Sequence, residues 1–285
     1  MPWDPSAPPR RIVSLVPSIT ESLFALGLGD RLVAVTQWCV HPADGVAELP
    51  KVGGTKNPDL AAITALVPEL VIANHEENTH RAVTRLEAAG VPVWVTYPRR
   101  VRDGARLLAE LAQLGGESGR ERCARVVEEV AAELEAAEQR LAERSAGAAA
   151  SAPRIFCPIW RDPWMTVGRD TYVHDMLELC GGANVFADAG DRRYPVVDVE
   201  VIVASAPDIV LLPDEPYAFG PEERRELEAL ALPAARSGRI HLIDGTWVSW
   251  YGPRIGPAIR VLGGLIADRP AGRTRPAAQS RRQSG

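Results

Sequence analysis

Residues 118–144, SGRERCARVVEEVAAELEAAEQRLAER, constrain this chain more than any other stretch. The run holds no proline and one glycine, near its start, and is dominated by Ala, Glu, Leu and Arg, all strong helix formers apart from that glycine. Ser118 and Glu121 stand at capping-box spacing, which satisfies free amides at a helix start. Cys123, Val127, Val130, Leu134, Ala137 and Leu141 recur every three or four residues and make one narrow apolar stripe. At 1.5 Å per residue the helix is roughly 40 Å long. Two readings are open: a helix lying on one domain's surface, or a strut with a lobe on either side.

The chain of 285 residues can bury a sizeable core as one or two domains. Its 46% hydrophobic and 24% charged content fits a globular protein, and a formal charge of −5 gives no general attraction to nucleic acid. No apolar run approaches the ~20 residues that span a bilayer. The opening MPWDPSAPPRR lacks the basic-then-apolar pattern of an export signal. A cytoplasmic location is therefore expected of the chain as written, and an extracytoplasmic one if its start is truncated. Cys39, Cys123, Cys157 and Cys180 show no CxxC pairing and read as reduced, mostly buried thiols.

Strand and helix signals alternate on both sides of the long helix. Before it, strands are expected at 11–16, 32–35, 70–73 and 91–96, with helices at 18–27, 59–66, 79–89 and 101–114. After it, strands are expected at 154–160, 209–212 and 240–243, with helices at 172–179, 198–204, 222–230 and 256–266. Such alternation implies parallel sheets covered by helices. The expected organisation is a disordered 1–10, a lobe over 11–117, the helix at 118–145, a second lobe over 152–267 and a disordered tail over 268–285. The halves echo each other: DLAAITALVPELV (59–71) aligns without a gap on DVEVIVASAPDIV (198–210). A weaker match pairs ESLFALGLGDRLV with HDMLELCGGANVF. Two similar lobes flanking one helix leave a cleft, and domain interfaces are preferred ligand sites.

These segments carry a family resemblance. RIVSLVPSITESLFALG, NPDLAAITALVPELVIA, the long helix, TVGRDTYVHDMLELCGGANVF, VEVIVASAPDIVLL and GPRIGPAIRVLGGL follow in an order that resembles the class III substrate-binding proteins of ABC importers. These are also called helical-backbone metal receptors, and they bind vitamin B12, haem and iron-siderophores. The likeness runs from residue 11 to about 267 and is strongest to the vitamin B12-binding branch. It implies an α/β fold of two parallel-sheet lobes, one rigid connecting helix, a cleft between the lobes and little hinge motion. It also implies a binding protein rather than an enzyme, with no intrinsic cofactor and an ABC permease as partner. Family members dock that permease through one exposed Glu per lobe. Glu200 supplies the second, while Ala61 stands in the first position, which should weaken docking. A permease-free cytosolic relative that stores or senses its ligand is the other outcome of that departure. A monomer without nucleic-acid partners is expected.

A corrinoid or porphyrin needs broad aromatic walls and a few polar groups. Trp38, Tyr97, Trp160, Trp164, Tyr194, Trp247, Trp250 and Tyr251 fall in or beside loops past strand ends, where ligands sit in open α/β sheets. Against this stands the ordinary fate of a Trp, the core, which is the expectation for Trp94. Asn74 and His75 follow the third strand, and in the family that loop faces the cleft. His75 could ligate a metal carried by the ligand, or simply be exposed, as could His41. Arg99 and Arg100 could meet acidic ligand edges or form a solvated basic turn, and Arg254 is expected to hold the closing loop. VGGTK at 52–56 lacks P-loop spacing, and GxSxG, HExxH and zinc-type spacings are absent. The expected ligand is cobalamin, with haem or a ferric siderophore as the alternative. A reading of another class is a two-lobed α/β enzyme using His75, Glu76 and Asp162 in the cleft.

Overall fold

The computed structural model describes residues 3, 4, 6–117, 119–146, 151–190 and 192–268. The first lobe contains β1 (Ile12–Ser14), α1 (Pro17–Ala25), β2 (Leu32–Val35), α2 (Ala43–Val46), α3 (Leu60–Ala65), β3 (Leu70–Asn74), α4 (His80–Ala88), β4 (Val93–Thr96) and α5 (Val101–Ala112). Its strands lie in the order β2-β1-β3-β4 and all pair in parallel. β1 and β3 are buried along their whole length, as strands covered by helices on both faces must be.

The long helix α6 runs over Arg120–Ala146. Ser118 and the tail from 269 lie outside the described residues, so the capping pair and the expected tail disorder do too. The second lobe follows with β5 (Arg154–Phe156), β6 (Pro158–Trp160), β7 (Met165–Thr166), α7 (Tyr172–Leu179), β8 (Ala183–Asn184), α8 (Val199–Ala204) and β9 (Ile209–Pro213). It ends with α9 (Pro221–Glu228), α10 (Pro233–Ser237), β10 (Ile240–Ile243), α11 (Thr246–Ser249) and α12 (Ile255–Ala267). Its parallel sheet has the order β10-β9-β5-β8. The strand expected over 154–160 is broken. Residues 154–156 join the sheet, whereas β6 pairs antiparallel with β7. Pro158 has no N–H for the parallel ladder, so the chain leaves the sheet there.

The echo has a physical basis. Val67 and Ala206, at matching places before Pro68 and Pro207, both hold positive φ, 46° and 43°. In the first lobe Glu69 Oε2 accepts from the Arg11 amide at 3.1 Å, and the Arg11 guanidinium donates to the Leu66 and Val67 carbonyls. In the second, Asp208 Oδ2 accepts from the Arg154 amide at 2.9 Å, and the Arg154 guanidinium donates to the Ser205 carbonyl. Each clasp supplies acceptors and donors that the strained helix-to-strand turn would otherwise lack.

The lobes are not independent. One apolar cluster runs from Ile12 and Leu23 through Leu108 of α5 and Val130 and Leu134 of α6 to Met176 of α7 and Ile259 of α12. The stripe read from sequence thus faces both lobes at once. Arg102 of α5 pairs with Glu138, and Arg260 of α12 pairs with Glu133, so each lobe is also tied to α6 through charge. Near its two ends α6 lays Arg122 over Gly27 and Arg144 over Gly181, both at positive φ. A Cβ at either glycine would collide with the guanidinium. The opening stretch, expected to be disordered, is tied down where it is described. Trp3 packs edge-on to Trp94 at 5.0 Å, and the Pro9 carbonyl accepts from Arg31 at 3.0 Å. An indole with a half-buried partner is worth ordering a short segment to bury. All four cysteines are free and buried.

Candidate functional site

The C-terminal ends of the central strands β3 and β9 set the site. β3 ends at Asn74, whose Oδ1 accepts from the amides of Glu76 and Glu77 at 2.7 and 3.2 Å. This Asx turn reverses the chain and fixes both glutamates at the strand end. Glu215 holds the corresponding place two residues past the end of β9. Its Oε1 accepts from Trp250 Nε1 at 2.5 Å and from Ser249 Oγ at 2.8 Å. The charge of Glu215 acts on Glu77 across the lobe boundary. Burial first, then the charge of Glu215, pushes the Glu77 carboxyl up to about 8, with Lys56 opposing the rise. Burial likewise raises Glu215, against the hydrogen bonds from Ser249 and Trp250. Partial burial therefore disfavours the charged form of each carboxyl.

A second group bridges the lobes beside them. Glu76 pairs with Arg193, and Tyr194 Oη donates to Glu76 Oε1 at 2.5 Å. The Arg193 guanidinium lies 5.2 Å from the Tyr97 ring centre, and Arg99 lies 5.6 Å from the same ring. His75 packs on Tyr97 at 4.5 Å. Arg99 grips Asp170 of the second lobe through both carboxylate oxygens, at 3.1 and 2.9 Å. Below this region Arg254 holds Glu21 through two bonds of 2.7 and 2.9 Å, with side-chain exposures of only 15% and 19%. Arg254 thus locks the closing loop onto the first lobe.

The expected ligand contacts divide into two sets. His75, Tyr97 and Tyr194 come together in the bridging group, and all three are exposed enough to meet a ligand. Trp38 is 59% exposed, Trp160 is 45% exposed, and Trp160 leans edge-on against Tyr217. Four expectations need correction. Trp164 is 4% exposed and stacks on Phe219 at 5.8 Å, since the β6–β7 turn folds it into the second lobe's core. Asn74 is buried and spends its side chain on the Asx turn and on Tyr251 Oη, 3.0 Å away. Tyr251 is buried between the lobes against Tyr172. Trp250 is buried under Arg254, 4.8 Å from its ring centre, and is held by Glu215. Trp247 is half-buried in a groove with Phe24, Pro42 and Pro253. Trp94, expected in the core, is half-buried under Trp3.

Glu77, Glu215 and Arg193 escape the sequence reading. The signal for Glu215 is its repeat relation to Glu76, and for Arg193 its place beside Tyr194. Among the described residues, no group of three or more His, Cys, Asp and Glu is placed to hold a metal ion. Glu76 is tied to Arg193 and Asp162 to Arg161, so the acid–base set of a cleft enzyme is not assembled. No described helix is long and apolar enough to cross a membrane.

Comparison with known proteins agrees with this architecture. The profile of the periplasmic binding protein family matches residues 12–246. The vitamin B12-binding protein of Vibrio parahaemolyticus is 28% identical over 248 residues, 87% of this chain and 86% of that one. That of Photorhabdus laumondii is 29% identical over 250 residues, 87% and 85% of the two chains. The periplasmic haem-binding protein RhuT from Roseiflexus sp. RS-1 has a TM-score of 0.75 at 30% identity, over 90% of this chain and 97% of that one. The vitamin B12-binding protein BtuF of Vibrio cholerae has a TM-score of 0.74 at 23% identity, over 91% and 97%. The cytoplasmic location expected from the opening residues is overturned: the family and these solved relatives are periplasmic, which places the protein outside the cytoplasm. Its members are transport components that bind without catalysing. The chain belongs to the periplasmic binding protein family, in the class III form of two α/β lobes on one connecting helix.

Proposed function

We propose that the protein captures a metal–tetrapyrrole of the cobalamin type between its lobes and delivers it to an ABC permease. The observation that carries the choice of cobalamin is the carboxyl pair Glu77–Glu215, each raised by burial. Half-buried carboxyls accept hydrogen bonds from amide N–H groups and so match a ligand edge rich in amide donors. A corrinoid presents primary carboxamides around its ring, whereas haem presents two carboxylates. Trp38, Tyr97, Trp160 and Tyr194 supply exposed aromatic surface for the flat ring. Haem is the second reading. The His75–Tyr97 ring pair beside Arg99 and Arg193 favours it, because imidazole and phenolate both ligate haem iron and arginine pairs with propionate. The RhuT likeness points the same way.

Titration of purified protein with cobalamin, read by the corrinoid absorption spectrum and by calorimetry, tests the proposal. Saturable binding with a spectral shift is expected. Absence of both rules cobalamin out, and the same titration with haem and ferric chelates then decides among the alternatives. For delivery, Glu200 is exposed on α8, and Ala61 is exposed at the matching position on α3. The docking is therefore one-sided in charge, with Glu200 meeting a permease arginine and the first lobe contributing apolar contact alone.

A further inference from the structure

Arg193 is only partly used. Its Nε donates to the Asp170 carbonyl at 2.6 Å and stands 3.5 Å from the Asp170 carboxylate, and its Nη1 pairs with Glu76. Its Nη2 is buried and meets no acceptor among the described residues. A guanidinium donor left open beside two aromatic rings, 5.2 and 5.3 Å away, is costly unless something else completes it. Arg193 Nη1 and Tyr194 Oη converge on the same carboxylate oxygen, and the open Nη2 belongs to the same guanidinium. That is a cradle for an oxyanion with two or more oxygens, and Glu76, a residue of the other lobe, fills only part of it.

We propose that Arg193 and Tyr194 form an anion subsite of the cleft, which Glu76 occupies as an internal stand-in until the ligand's own phosphodiester or carboxylate displaces it. This rests on the function proposed above and names the group of the ligand that is recognised there. The charges support exchange. With Glu76 in place, Arg99 and Arg193 face Asp170 and Glu76 and the group is neutral. With Glu76 swung out, one positive charge remains for one anion. Cobalamin carries one such charge, in the phosphodiester of its nucleotide arm, and haem carries two carboxylates. The subsite lies beside the Glu77–Glu215 pair, so one part of the cleft suits amides and the neighbouring part suits an anion. Because Glu76 reaches from one lobe to the other, the same exchange opens a latch between them.

The test compares wild type, Glu76→Gln and Arg193→Met by calorimetry with cobalamin and with cobinamide, which has the same ring and amides but no phosphodiester. Glu76→Gln weakens the internal competitor, and cobalamin should bind about tenfold tighter. Arg193→Met should bind it about tenfold more weakly, with Arg193→Lys in between. Cobinamide should change less than twofold in all three. A gain of affinity cannot be imitated by misfolding. If cobinamide shifts in parallel with cobalamin, or cobalamin affinity is unmoved, the subsite is refuted while the cobalamin reading stands. If wild type binds neither corrinoid, that reading fails instead. The same variants are then titrated with inorganic phosphate and read by intrinsic fluorescence. Glu76→Gln should take up phosphate more tightly than wild type and Arg193→Met should not. No phosphate binding to Glu76→Gln overturns the proposal.

Discussion

The Glu77 carboxyl makes the stability of the protein depend on pH in a direction that can be stated in advance. Its ordinary value is 4.5, and burial together with the charge of Glu215 raises it to about 8. The folded state therefore keeps the proton where the unfolded chain has already lost it. A raised value of this kind contributes stability that is fully present below pH ~4.5 and is lost as pH climbs towards ~8. Each unit of difference is worth about 1.4 kcal/mol, so the window sets a ceiling near 5 kcal/mol. Glu77 is only half-buried and Lys56 opposes the shift, so solvent and counter-charge bring the expected loss to ~2 kcal/mol. Glu77→Gln removes the titration and keeps the shape. Urea unfolding at pH 5, 6.5 and 8 should show wild type losing about 2 kcal/mol relative to the variant, with equal m-values. In a Glu215→Gln background the gap should narrow, since burial remains and the like charge does not. Parallel stability curves for wild type and Glu77→Gln would show that the carboxyl is freely hydrated, and the argument for an amide-preferring cleft would go with it.

Three further outcomes follow from the same geometry. Arg254→Met leaves Glu21 unpaired between the lobes, and urea unfolding should register a loss of about 3 kcal/mol; a change below 0.5 kcal/mol would mean the pair is solvated. Trp164→Ala should cost roughly 3–5 kcal/mol as a core truncation. Trp160→Ala should stay within about 0.5 kcal/mol but weaken ligand binding, and the opposite pattern would reverse the assignment of the two indoles. Because one apolar cluster passes through both lobes, small-angle scattering should record only a few degrees of lobe rotation on ligand addition, and a large hinge closure would contradict a shared core.

The fold was legible because its elements obey simple periodicities. The bounds of β2, α7 and β10 agree with those read from aliphatic runs and helical spacing, and the long helix was marked by a stripe with no breaker. The short α10 and α11 were not legible, since four or five residues carry no period. The site was harder for a different reason. An indole suits a core and a ligand wall equally well, and Trp160 and Trp164, four residues apart, go opposite ways because the β6–β7 turn folds only the second inward. Tyr97, Tyr194 and His75 are legible from sequence as residues in loops beyond strands, but the partners they meet are not. Arg193 meets Glu76, and Glu77 meets Glu215, only after both lobes have folded and been set at a fixed angle. Composition carries no trace of a pairing made that way.

That angle is stored in α6. Arg122 seats over Gly27 and Arg144 over Gly181, so the helix is keyed to one lobe near its beginning and to the other near its end. A helix keyed at two points acts as an axle with a fixed phase. One inserted residue between the keys would advance the far lobe by about 1.5 Å and turn it by about 100°. Glu76 and Arg193 would then face different directions, although every local contact within each lobe survived. An insertion of seven residues would restore the phase to within about 20° but push the lobes roughly 10 Å further apart along the axle. The length of α6 is therefore held to the residue by a cleft it does not line, and the spacing between the two glycine seats is as much a part of ligand recognition as any side chain in the cleft.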